Sequence, residues 1–262
     1  MTIYLELTRE LNAGRLRAVI CSGQAAVLHK LAIASKYGGW ILREDREALD
    51  HVLRVLAAHG ARYRFGAPLA LRWMSGGWSS HFEFLSSGLR VRTDFFTRPP
   101  RVPAASLARM WTEEDRRDPP FTGPVILAEM KKTAREKDYP FIAELARRMK
   151  DPRDQLLYSR SAEDLIELDR RYPELVRELV AMRPLLARID SDRRQIAEAI
   201  QLEMLDLVEV DRARLDLYRS AASRWARVWQ EGQPEWDRLP LLEAHAKLVA
   251  AADGVLPVTV LP

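Results

Sequence analysis

The residues with chemistry to offer gather first on a predicted β-hairpin. His81 and Glu83 alternate with Phe82 and Phe84 on one strand, and Arg92 and Asp94 alternate with Val91, Thr93 and Phe95 on the other. A two-residue turn at Ser87-Gly88 keeps the apolar faces together, because a slip of one residue sets Phe84 against Arg90. The register then pairs Phe84 with Val91, Glu83 with Arg92 and His81 with Asp94. Opposite charges directly across a ladder support it by up to ~1 kcal/mol each. His81, Glu83, Arg92 and Asp94 therefore share one polar face, which either meets solvent or lines a pocket.

Two further stretches carry groups suited to phosphate. Ser22-Gly23-Gln24 makes a small-residue turn between a short apolar run and a helix, where glycine lets the backbone approach a phosphate or a neighbouring element. The run Lys131-Lys132-Thr133-Ala134-Arg135-Glu136-Lys137 sets Lys131 and Arg135 one helical turn apart, with Lys132 beside them. It is either a solvated helix start or a phosphate-binding edge. Other chemistries are poorly served. Cys21 is the single cysteine, so there is no disulfide framework. His29 on the first helix reads as a packed or rim histidine, and His51, His59 and His245 lack partners at ligand spacing, so zinc is not expected. There is no P-loop, no Gly-x-Ser-x-Gly elbow and no dinucleotide fingerprint. Gly76-Gly77-Trp78-Ser79-Ser80-His81 brings a serine near a histidine and reads as a turn. Trp40, Trp73 and Trp78 either stack on a base or fill the core.

These residues need elements to hold them. Residues 2–12 have mixed apolar spacing, compatible with helix or strand, and Asn12-Ala13-Gly14 ends the pattern. Val19-Ile20-Cys21 is a short buried-type run, followed by a helix through Leu31. Residues 39–43 read as a strand. Glu44-Asp45 then opens an amphipathic helix with Leu49, Val52, Leu53, Val55 and Leu56 on one face, closed by Gly60. Residues 62–65 and 69–74 read as further strands, ahead of the hairpin at 79–85 and 89–97. After Pro99-Pro100 come a helix over 104–111, a surface loop over 112–123 and a helix after Pro140. From about residue 150 the strand signal disappears. Residues 161–189 and 191–230 are long helical patterns, broken at Pro173 and Pro184, with N-cap clusters at Ser161-Ala162-Glu163-Asp164 and Asp190-Ser191-Asp192. Leu202, Leu205, Leu207, Val208, Leu215 and Leu217 form a face broad enough to bury. Residues 232–240 read as a linker carrying Trp236, and a last helix ends near Gly254. The expected layout is α+β over 1–150, with a mixed sheet flanked by helices, and an all-α domain over 151–262.

At 262 residues, with 47% apolar residues, the chain has room for one large core or two modest ones. Forty-one Lys and Arg against 37 Asp and Glu leave a net charge of +4. Arginine pairs such as Arg147-Arg148 and Arg170-Arg171 sit beside acids, as on solvated helix faces. No apolar run approaches the ~20 residues of a membrane span, and the first nine residues lack a signal-peptide core. A soluble, cytoplasmic protein is expected.

In order and spacing, residues 19–148 resemble the bacterial nucleotidyltransferase-like proteins of the DNA polymerase β superfamily, including abortive-infection toxins. The pattern is a small-residue turn, about a dozen residues, an acid-x-acid strand, a third acid on a later strand and a Lys-Thr-x-Arg-x-Lys-Asp run. Ser22-Gly23-Gln24 fits the turn, Asp94 in Arg92-Thr93-Asp94-Phe95 the third acid, and residues 132–138 the basic run. Tyr37 and Gly39 stand where the first two acids belong. The resemblance implies a nucleotidyltransferase-like fold whose carboxylates would hold Mg²⁺ on a triphosphate. Mg²⁺ gains nothing from a phenol or a glycine. The expectation is therefore a degenerate site without transfer activity. It would bind a nucleotide, a nucleic-acid end or a protein partner, using Ser22, Gly23, Gln24, Lys132, Arg135 and Lys137. The alternative is an active Mg²⁺-dependent transferase of toxin or defence type, modifying RNA or protein through Asp94. A third reading is a protein-interaction module, one half of a toxin–antitoxin pair, built on the C-terminal helices.

Overall fold

The computed structural model describes residues 2–190 and 192–260, which form two compact units. One unit comprises Met1–Thr122 together with Asp216–Pro262, the other Gly123–Leu215. The units part after Thr122 and again after Leu215, not near residue 150, and the last strand ends at Phe96. The C-terminal segment returns to the sheet unit through contacts that composition does not reveal.

The first unit is built on a mixed sheet of order β1-β2-β5-β4-β3, from β1 (Ala18–Cys21), β2 (Gly38–Leu42), β3 (Arg62–Arg64), β4 (Ser79–Ser86) and β5 (Leu89–Phe96). Every pairing is antiparallel except β2 with β5, which is parallel. β1 and β2 are apolar throughout and buried along their whole length, as strands covered on both faces are. β4 and β5 alternate. Phe82, Phe84, Val91, Thr93 and Phe95 turn inward, and the residues between them turn outward. The hairpin has the register its spacing predicts, with His81 opposite Asp94, Glu83 opposite Arg92 and Phe84 opposite Val91. Ser87 and Gly88 both take positive φ (49° and 77°), the backbone of a two-residue type I′ turn.

Helices cover the inner face. α1 (Thr2–Leu11), α2 (Ser22–Leu28) and α3 (Arg46–Ala58) precede the hairpin, with α4 (Leu71–Met74) just before it and α5 (Ala104–Glu113) after it. Asp45 caps α3 by accepting the Ala48 N–H at 2.8 Å, and Gly60 (φ +63°) closes it. Trp40 stacks on Phe95 at 5.3 Å between ring centres and gives its indole N–H to Thr8, so the large buried ring carries no orphan donor. The outer edge of β1 is covered by residues 120–122: Ile20 N–H donates to the Pro120 carbonyl, and Thr122 N–H to the Ile20 carbonyl.

Three expectations change here. Residues 69–74 are no strand. Their last four form α4, which buries Trp73 and Met74; a short apolar run suits either state. Part of the expected surface loop over 112–123 is ordered by Glu114, which is buried and accepts the Phe121 N–H. Residues 232–240 are not a linker, since α12 (Ser223–Trp236) runs through Gly232 and Pro234. A Cβ on Gly232 would come within 2.2 Å of the Trp236 ring, so this glycine makes room for packing where the sequence suggested a break. α12 and α13 (Leu241–Ala252) complete the unit. Trp225 gives its indole N–H to the Gly66 carbonyl, Trp73 to Leu256 and Trp78 to Pro257.

The second unit holds α6 (Pro124–Lys131), α7 (Tyr139–Ala146), α8 (Pro152–Tyr158), α9 (Ala162–Arg171), α10 (Pro173–Leu179) and most of α11 (Arg193–Ala221). Pro173 opens α10, where its missing N–H costs nothing, and Pro184 opens a 3-10 turn. Ser161 caps α9 through Asp164 N–H, and Asp192 accepts from Arg194 and Gln195; Ser191 lies outside the described residues. The core is aliphatic: Leu156, Leu165, Leu179, Leu186 and Ile196. The face predicted on α11 is only partly used. Val208 is buried, whereas Leu202, Leu205 and Leu217 are exposed. The long helical pattern over 191–230 is two helices, α11 ending at Ala221 and α12 starting at Ser223.

Candidate functional site

Strand parity assembles the site. On the outward face of the first unit's sheet, β3 contributes Arg62 and Arg64, β4 Ser79, His81 and Glu83, and β5 Arg92 and Asp94. β2 adds Gly39, directly opposite Asp94 in the parallel ladder, and Tyr37 just precedes that strand. The sequence-predicted residues Tyr37, Gly39, His81, Glu83, Arg92 and Asp94 therefore lie on one face.

Their partners define what they can do. Asp94 Oδ1 lies 2.7 Å from His81 Nδ1 and 3.7 Å from Arg64 Nη1. His81 Nε2 lies 3.0 Å from the Ser79 hydroxyl. Glu83 takes two hydrogen bonds from Arg62, at 2.8 and 3.2 Å, with Arg90 and Arg92 at 3.9 and 3.8 Å. Burial opposes its ionisation, but the Arg62 hydrogen bonds and the surrounding guanidinium charge prevail and hold its carboxyl below the usual range. Tyr37 accepts a hydrogen bond from Arg92 Nη1 at 2.9 Å, and the Arg92 and Arg64 guanidiniums sit over its ring at 5.5 and 5.8 Å. Beside this face a recess of about 320 Å³ is lined by His59, Arg62, Glu83 and Arg90.

This donor set does not fit Mg²⁺. Gly39 offers no oxygen, and a Cβ there would already meet Cys21 Sγ and Ser22 Cβ at 3.3 Å. The Tyr37 hydroxyl and the Glu83 carboxylate are engaged by guanidiniums, and Asp94 is held by His81 with Arg64 close by. A hard dication placed among Arg64, Arg92 and Arg62 meets repulsion where it needs carboxylates. Among the described residues, no three His, Cys, Asp or Glu side chains cluster to hold a metal ion.

The Ser22-Gly23-Gln24 turn is spent on its own surroundings. Gly23 closes on Ser35, where a Cβ would lie 2.2 Å from the hydroxyl, and buried Gln24 donates to the Ser35 carbonyl. This is the close approach to a neighbouring element that the sequence allows. Burial pushes the adjacent Cys21 thiol well above its ordinary value, away from the reactive thiolate.

Lys132, Arg135 and Lys137 belong to the second unit. Their run is not a helix start: α6 ends at Lys131, and residues 132–135 form a loop because their polar groups fold onto local partners. Lys132 is paired with Glu129 at 2.7 Å and lies over the Tyr158 ring, and Tyr158 also donates to Glu129. Lys131 and Thr133 both bond the buried Asp138. Buried Asp211 accepts the Ala134 N–H. Lys132 is therefore committed to structure, and only Arg135 and Lys137 of the three are exposed.

Sequence reasoning missed Arg64 and Ser79. The signal was present for Ser79, which strand parity puts on the same face as His81, whereas Arg64 comes opposite His81 only through the β3–β4 register. No helix among the described residues is long and apolar enough to cross a membrane. No protein family, curated protein or solved structure gives a significant match to the chain.

Proposed function

We propose that this chain is a nucleotidyltransferase-like protein that binds a phosphate-bearing ligand, a nucleoside triphosphate or a nucleic-acid end, without transferring it. Guanidinium groups on the sheet face take the place of metal-bridging carboxylates. One observation carries the reading: Tyr37 and Gly39, at the two expected acid positions, adjoin Asp94 but lie among Arg64 and Arg92. Arg64 Nη1 and Arg92 Nε are shielded from solvent and hydrogen-bonded to nothing, their nearest carboxylates being 3.7 and 3.8 Å away. Two such donors on one face suit a phosphate oxygen, which guanidinium recognises bidentately. The strand–turn–helix–strand order from β1 to β2 supports this reading.

Calorimetry with each nucleoside triphosphate in EDTA tests the proposal. Binding should persist without Mg²⁺, and Arg64→Ala or Arg92→Ala should weaken it about tenfold or more, as loss of a charged hydrogen bond does. Failure of every triphosphate and of a 5′-phosphorylated oligonucleotide to bind overturns it. Mg²⁺-dependent transfer of label that Asp94→Ala abolishes overturns it in favour of the active enzyme.

A further inference from the structure

Ser79, His81 and Asp94 are linked in a single hydrogen-bonded line on the sheet face. Ser79 and His81 are two residues apart on β4, so both side chains leave the same side, and β5 sets Asp94 directly opposite His81. The distances are 3.0 Å from the Ser79 hydroxyl to His81 Nε2 and 2.7 Å from His81 Nδ1 to Asp94 Oδ1. Both fall within the reach required of a nucleophile, its base and the group that orients the base. With Asp94 accepting from Nδ1–H, Nε2 is the free acceptor for the Ser79 proton. The imidazole is also fixed sideways: a Cβ on Gly66 would lie 2.7 Å from His81 Cδ2, and Gly66 is itself held through its carbonyl by Trp225. All three side chains are partly exposed, so the line is open to a reagent. The neighbouring Ser80 is fully buried and bonded to the Ala67 carbonyl, which leaves Ser79 as the reachable hydroxyl.

We infer that Ser79 is a nucleophile activated by His81, with Asp94 as the positioning residue, and that it cleaves carboxylic esters bearing a negative charge. The charge preference comes from Arg64, whose guanidinium lies 3.7 Å from Asp94 and has a donor without a hydrogen-bond partner. In the first step the Ser79 proton passes to His81 Nε2, an Oγ–C bond forms at the acyl carbon, and the ester C–O bond breaks. The alcohol leaves with the proton from His81. Water then attacks the acyl-Ser79 with His81 as base, releasing the acid and restoring the hydroxyl. Water is the one co-reactant, so this activity needs neither a metal nor a nucleotide, although Arg64 would serve both.

The test uses the full chain with a fluorophosphonate reagent, read by intact mass and peptide mapping, and hydrolysis of p-nitrophenyl acetate against its anionic succinate analogue. One adduct on Ser79 is expected, absent in Ser79→Ala and at least tenfold slower to form in His81→Ala. Asp94→Asn should slow labelling similarly, and Asp94→Glu should recover part of the rate, which a merely structural carboxylate would not require. The succinate ester should be hydrolysed faster than the acetate, and Arg64→Ala should remove that difference. No adduct on wild-type Ser79, or a labelling rate unchanged in a His81→Ala protein with wild-type circular dichroism, overturns the inference. So does a succinate ester cleaved no faster than the acetate.

Discussion

His245, half-buried on α13, shows how one base couples the C-terminal helix to acidity. Its Nδ1 lies 2.7 Å from the hydroxyl of buried Tyr63, which also accepts the Leu69 N–H. Burial lowers the pKa of His245 below its ordinary 6.5, with Asp50 opposing. The unfolded chain therefore takes up a proton at a higher pH than the folded one. Stability is complete above 6.5 and declines as pH falls from there towards the lower folded value. Thermal midpoints measured from pH 8 to pH 5 should drop, and His245→Gln should flatten that drop. Glu47 acts in a lower window. Arg17 hydrogen bonds, opposed by burial and aided by Arg15, bring its pKa from 4.5 to about 2. Its contribution is present above 4.5 and is lost as pH falls towards 2, so Glu47→Gln should shrink the fall in stability between those limits. The same measurement over that range checks it.

At the scale of elements, the hairpin is where local chemistry is strongest. Alternation named the buried face, charge pairing named the register, and Ser87-Gly88 supplied a turn with two positive φ values. Gly88→Ala places a Cβ at φ 77° and should cost about 1–2 kcal/mol, seen as a lower thermal midpoint with the sheet signal retained. Elements without such a signal were misread. Residues 69–74 are apolar without a decisive period, and Gly232 and Pro234 look like breakers although Trp236 needs the space that Gly232 leaves. In the candidate site, His81, Glu83, Arg92 and Asp94 were legible because one hairpin holds them all. Ser79 is placed beside His81 by its own strand, whereas Arg64 reaches that face through the β3–β4 register.

At the scale of the molecule, each unit depends on contacts between distant segments. In the second unit, Glu203 binds both Arg160 and Arg183, whose side chains are 6% and 3% exposed. Burial alone would raise the Glu203 pKa, but the Arg183 hydrogen bonds and the two positive charges bring it below its ordinary value. Glu203→Ala strands two buried guanidiniums and should destabilise this unit by about 3–5 kcal/mol in denaturant titration. In the first unit, residues 216–262 carry Trp225, Trp229 and Trp236, packed together with centres 5.7–6.1 Å apart. A chain ending at residue 215 should lose the cooperative unfolding of the sheet unit, whereas a cut near residue 150, where composition changes, falls inside the second unit. Circular dichroism melts of the two truncations check this.

The sequence by itself determined the strands of the hairpin, their register, the caps of α3 and α9 and the grouping of four polar residues on one face. Each of these follows from periodicity, turn chemistry or charge pairing within a few residues. Tertiary structure decided the rest. It set β2 parallel to β5, so that Gly39 faces Asp94, brought Arg64 to the same surface, and tied Lys132 to Glu129 and Tyr158. It also returned the C-terminal helices to the sheet. Those outcomes depend on which distant surfaces bury each other and which charges are left to pair, and no short-range pattern in a chain encodes either.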